Sequence, residues 1–105
     1  MQHDGPVVGL IEDDVVMGES ICQRLELEGC SVRWWHSGKE AIAACRDGLD
    51  AINVMVCDMR LPDMTGEEVF RKLVADQPLP PFVFITGYGE IAQAVRLMRM
   101  GAADY

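Results

Sequence analysis

Positive charge is scarce in this sequence: nine Lys and Arg stand against seventeen Asp and Glu, and the formal charge is −8. Binding to a nucleic-acid backbone by counterion release needs a basic face, so the balance of charge argues against direct nucleic-acid contact by this segment. The four cysteines, Cys22, Cys30, Cys45 and Cys57, contain no CxxC pair and have no His at metal-ligand spacing. They read as reduced, mostly buried small hydrophobes rather than a zinc site or a disulfide framework. No apolar stretch approaches the roughly 18 residues of a membrane span, and no basic segment precedes the first apolar run as a signal peptide would require. Internal repeats and low-complexity segments are also missing. What remains is a chain of 105 residues, 50% hydrophobic, which is enough for one small core and not for two. A cytoplasmic location is the expectation. Residues 1–6 read as a disordered lead and 7–105 as one domain.

What is present alternates between two periods. Val7 to Ile11 is a continuous apolar run of strand length. Met17, Ile21 and Leu25 recur at helical spacing up to Gly29, a suitable left-handed cap. A second strand is predicted over 30–35. Ser37 with Glu40 gives a capping-box start for a helix that turns Ala41, Ile42 and Cys45 inward. The third strand is predicted over 52–57. A helix over 67–76 then carries Val69, Phe70 and Leu73 on one face, and Pro78, Pro80 and Pro81 stop it. Phe82 to Ile85 is the fourth strand, and a fourth helix over 90–100 turns Ile91, Val95 and Met98 inward. Strand–helix alternation with short loops demands right-handed crossovers, hence an α/β fold with a doubly wound parallel sheet.

Carboxylates stand at the ends of two of these strands. Glu12, Asp13 and Asp14 follow the first, and Asp58 follows the third. In a parallel sheet those ends share one edge, where open α/β folds bind ligands. Three acids meeting there repel one another unless one is protonated or a hard cation such as Mg2+ sits among them. A bland alternative exists for each residue: first-turn acids favoured by a helix dipole, or a turn-forming Asp. Asp14 is assigned to that dipole role. Trp34 and Trp35 read as one inward and one outward residue of a strand end, and His3 and His36 have no partner in sequence.

The ordered set Glu12, Asp13, Asp58, Pro62, Gly66, Thr86 and Gly87 resembles the receiver domain of two-component response regulators, and 101–105 is similar to the approach to that family's fifth strand. The resemblance implies a flavodoxin-like sheet of order 2-1-3-4-(5). It implies a phosphoacceptor at Asp58 and a Mg2+ site of Asp13, Asp58, the Arg60 carbonyl and, through water, Glu12. Thr86 would donate its hydroxyl to a phosphoryl oxygen, and Tyr105 matches the family's switch aromatic. A sensor histidine kinase would be the donor and an output domain the target, so the expected function is phosphorelay signalling that regulates transcription. No independent enzyme is expected beyond catalysis of the domain's own phosphorylation and dephosphorylation. The stretch from Asp58 to Gly66, with 87–96, is most similar to bacterial receivers that precede AAA+ ATPase domains in activators working with the alternative sigma factor. The family carries a Lys three residues beyond the position of Tyr105, so the chain is expected to be part of a longer protein, lacking the fifth strand and helix. An exposed fourth-strand edge and an uncovered sheet face beside the first helix would then favour self-association. The competing reading is a receiver-fold interaction module that is never phosphorylated.

Overall fold

The computed structural model describes residues 5–46, 48–49 and 51–85. Its elements alternate in chain order: β1 (Val7–Ile11), α1 (Val15–Leu27), β2 (Ser31–Trp35), α2 (Gly38–Cys45), β3 (Val54–Asp58), α3 (Gly66–Val74) and β4 (Phe82–Ile85). The strands form one parallel sheet in the order β2-β1-β3-β4, the flavodoxin-like arrangement anticipated from the sequence. The expected fourth helix, the switch residue Tyr105 and Thr86 with Gly87 lie outside the described residues. Pro6, in the expected lead, is tied to the sheet, its carbonyl accepting from the Ser31 N–H at 2.9 Å.

Period-two alternation sends successive strand residues to opposite faces, and helices cover both. Val8, Leu10, Val54, Val56, Val83 and Ile85 pack with Ile21 and Leu25 of α1. Ile11, Met55 and Cys57 pack with Ala41 and Cys45 of α2 and with Val69 and Leu73 of α3. On the sheet face beside α1, Val54, Val56, Val83 and Ile85 are all buried among the described residues. Among the described residues all four cysteines are free, with Cys22 half-buried and the others buried. No described helix is long and apolar enough to cross a membrane.

Several local expectations need correction. β3 begins at Val54 rather than Ile52, because the Asn53 side chain takes the Val7 N–H at 2.8 Å and its own N–H bonds the Val7 carbonyl. Ser37 caps α2, but Glu40 reaches past it to the His36 N–H, so the box does not close on the cap residue. A complete capping box starts α3 instead, formed by Thr65 and Glu68. Trp35 is buried under α2, and Trp34 packs against the α1 cluster, so neither ring simply faces outward. His36 has partners that the sequence hid: the Glu40 carboxylate at 3.6 Å and the Trp34 ring at 4.4 Å between centroids.

Candidate functional site

Register builds the site. Ile11 is level with Cys57 across the β1–β3 pair and with Trp35 across the β1–β2 pair. Continuing one residue sets Glu12 level with Asp58, and the Glu12 N–H indeed carries the ladder on to the Trp35 carbonyl at 3.0 Å. One carboxylate oxygen each from Glu12, Asp13 and Asp58 lies within 4.8 Å of the others. The three differ in depth: Glu12 is buried, Asp58 half-buried and Asp13 exposed. Asp14 points away from this trio. It is the N-cap of α1 rather than a residue of its first turn, and its Oδ1 accepts from the Met17 N–H at 2.9 Å.

Burial sets the electrostatics. Removal from water, opposed by the Asp14 N–H and reinforced by the facing Asp58 and the neighbouring Asp13, pushes the Glu12 carboxyl up to about 7. That N–H occupies Oε2 at 3.1 Å, while Oε1 is buried with no hydrogen-bond partner among the described residues. An orphaned buried oxygen facing two further carboxylates is satisfied either by a proton or by a cation. The donors are all oxygen, which suits a hard divalent ion such as Mg2+. Beneath them, desolvation first and then Asp58 and Glu12 push the Cys57 thiol up to about 12, so it is inert as a nucleophile.

Two supports fix the acids. The Trp34 Nε1–H donates to the Glu12 carbonyl at 2.8 Å, so β2 grips both backbone polar groups of Glu12. The indole can lie there because residue 18 is Gly: an added Cβ would fall 1.9 Å from the Trp34 ring. Replacing Trp34 with Phe keeps most of the packing and orphans that carbonyl. The expected cost is about 1 kcal/mol, read as a lower urea midpoint, and a midpoint equal to wild type would remove Trp34 from the site's support.

The second support is the loop after Asp58. Asp58 Oδ1 accepts from the Arg60 N–H at 2.9 Å, and Arg60 bridges back to Thr65. Gly66 donates to the Met59 carbonyl at 3.0 Å, and it must be small, because a Cβ there would stand 2.7 Å from the Asp58 carbonyl oxygen. Asp63 anchors the loop to α2, accepting from the N–H groups of Gly38 at 3.0 Å and Lys39 at 2.8 Å. Desolvation raises its carboxyl, but the N–H groups of Lys39, Gly38 and Asp63 itself, together with the Lys39 charge, hold it below the ordinary range. Sequence reasoning missed Trp34 and Asp63 in these roles. Asp63 looks like any acid beside a loop proline, and its partners lie 25 and 24 residues away.

Of the sequence-derived candidates, Glu12, Asp13 and Asp58 are brought together and Arg60 stands beside them, while Thr86 and Tyr105 fall outside the described residues. A family described as the response regulator receiver domain matches residues 8–105. The C4-dicarboxylate transport transcriptional regulatory protein DctD of Rhizobium meliloti is 37% identical over 95% of this chain and 21% of its own length. The transcriptional regulatory protein FixJ of the same organism is 32% identical over 93% of this chain and 47% of its own. This chain thus spans about half or less of those curated relatives. A solved structure of FixJ-N superimposes with a TM-score of 0.70 at 31% identity, covering 96% of this chain and 78% of that one. The non-phosphorylated HemR receiver domain of Leptospira biflexa gives a TM-score of 0.68 at 32% identity, over 88% and 75%.

Proposed function

This chain belongs to the response regulator receiver domain family, and from that premise we propose that it is the phosphoacceptor of a two-component phosphorelay, with Asp58 as the residue modified. The observation that carries this reading is the trio of Glu12, Asp13 and Asp58, gathered at one sheet edge around an oxygen that nothing in the described fold satisfies. An Asp58 carboxylate oxygen attacks phosphorus. The P–N bond of a kinase phosphohistidine breaks, its electron pair stays on the imidazole, and an aspartyl phosphate remains. Asp13, Asp58 and the Arg60 carbonyl would hold Mg2+, with Glu12 reaching it through water. When bound, the ion neutralises charge on the transferring phosphoryl oxygens. The Arg60 N–H keeps Asp58 Oδ1 oriented, and Thr65, Gly66 and Asp63 keep the loop closed around it.

The finer assignments belong to the same reading. Thr86 would donate to the phosphoryl group and Tyr105 would report it. A sensor histidine kinase would supply the phosphoryl group in the cytoplasm of a bacterium. The output would be transcriptional, as the names of the DctD and FixJ relatives suggest, through residues outside this segment. Self-association would rest on the β4 edge and on the sheet face beside α1, and is tested by light scattering at rising concentration. Radiolabelled acetyl phosphate with Mg2+ tests the central claim. The expected result is one hydroxylamine-sensitive label per chain, located at residue 58 by borohydride reduction. A chain that takes no label is instead an unphosphorylated interaction module.

A further inference from the structure

The chain has two lysines, and both line the same cleft. Between α2 and α3 a depression of about 550 Å3 is bordered by Lys39, Arg46 and Lys72, with Asp76 as the one carboxylate in its lining. Seven Lys and Arg fall among the described residues. Of the four elsewhere, Arg24 pairs with Glu28, Arg71 pairs with Glu67, Arg33 lies 5.4 Å above the Trp35 ring, and the exposed Arg60 stands in the loop after Asp58. None of the three in the cleft is in an ion pair among the described residues. Lys39 acts through space on Asp63 and Lys72 on Glu68, without closing to a bridge. A protein of charge −8 thus places three of its seven described Lys and Arg around one cleft.

The cleft floor narrows the partner. Ile42 and Met64 are half-buried there and offer an apolar strip, Met64 with an adaptable thioether. Lys39 and Arg46 stand on the α2 side of that strip and Lys72 on the α3 side. Its complement is a segment with an apolar stripe flanked by acids on both sides, which is an amphipathic acidic helix laid in a groove. A free inorganic anion fits less well, because the α2 N-terminal amides of Gly38 and Lys39 are already taken by Asp63. Nucleic acid is disfavoured by the overall charge. We propose that the α2–α3 cleft is a docking surface for an acidic amphipathic helix of a partner protein.

The test uses a fluorescently labelled peptide helix with leucines on one face and glutamates on the other. Anisotropy should show saturable binding that weakens as salt rises. Each exposed charge pair contributes modestly, so the combined variant Lys39→Ala, Arg46→Ala, Lys72→Ala should bind about tenfold more weakly, with an unchanged circular dichroism spectrum. Glutamine in place of the peptide glutamates should lose a similar factor. Amide shift changes should centre on α2, Met64 and α3. The proposal is overturned if the peptide does not bind, if the triple variant binds as well as wild type, or if the shifts centre on α1. It is also overturned if inorganic phosphate displaces the peptide at constant ionic strength, which would make this a small-anion site. Concentration-dependent dimerisation abolished by the triple variant would equally overturn it, since the occupant would then be a second copy.

Discussion

Asp58→Asn is expected to end phosphoryl acceptance and, in the same protein, to raise the stability of the metal-free fold. The first effect follows from the chemistry: an amide oxygen is no nucleophile toward phosphorus, so labelling by acetyl phosphate should fall to background. The second follows from Coulomb's law. Asp58 shares a space of 4.8 Å with Glu12 and Asp13. One pair of like charges at that distance costs about 1 kcal/mol in water and about 3 kcal/mol at the effective dielectric of a protein surface. Asp58 is half-buried, so a gain of about 1–2 kcal/mol is expected, seen as a melting temperature about 5 °C or more higher. Asn keeps the Oδ1 acceptor for the Arg60 N–H, and its amide can donate to the orphaned Glu12 oxygen, so nothing is lost in exchange. Mg2+ should stabilise wild type and not the variant. Thermal denaturation with and without the ion checks both halves. A variant less stable than wild type in chelator would show that the three carboxylates do not repel as their placement requires.

How far the sequence could be read depended on whether each cue was local. β1 and β4 appear over the residues anticipated, because each is an apolar run bounded by turn-forming or proline residues. Asp13 and Asp58 were legible as partners because parallel register alone brings the ends of neighbouring strands together. β3 was misjudged by two residues at its start because Asn53 makes a tertiary bond to Val7, and no window of sequence shows that. The capping box at Thr65 and Glu68 is present in the letters, but Thr65 lies before the helix start predicted at residue 67, and Gly66 is read only as part of the receiver pattern. Asp63 and Trp34 were invisible as supports for the reason common to long-range contacts: their partners are far away in the chain. Most consequential, the sequence separates Glu12 from Asp13 only by family resemblance, which makes Asp13 the direct ligand and Glu12 the one acting through water. Only the fold reveals that one is buried and the other in solvent.

That difference predicts an unusual pH profile. The metal-free protein should lose stability as pH rises from about 4.5 to about 7, and then level off. The Glu12 carboxyl is raised in the folded state from 4.5 to about 7, because burial penalises its charge and Asp58 and Asp13 oppose it. Between those limits the folded chain keeps a proton that the unfolded chain has released. Stability must therefore fall with rising pH, the opposite of the usual carboxylate slope. Below 4.5 both states are protonated and Glu12 contributes nothing to the slope. Asp63 and Glu68, both held below their ordinary values, lose their contributions only in stronger acid, so they do not blur this window. At about 1.4 kcal/mol per pH unit, the full fall is about 3 kcal/mol. Glu12→Gln is neutral throughout and should give a flat profile over the same range. A cation in the acidic cluster favours the ionised form, so Mg2+ binding below pH 7 should release a proton, and its affinity should weaken by up to about tenfold for each pH unit of acidification. Urea midpoints for both proteins from pH 5 to 8, and proton release on adding Mg2+ in weak buffer, measure these effects. A wild-type profile as flat as that of Glu12→Gln would mean that Glu12 is ionised in the fold near neutrality, and that the orphaned oxygen is satisfied by something other than a proton.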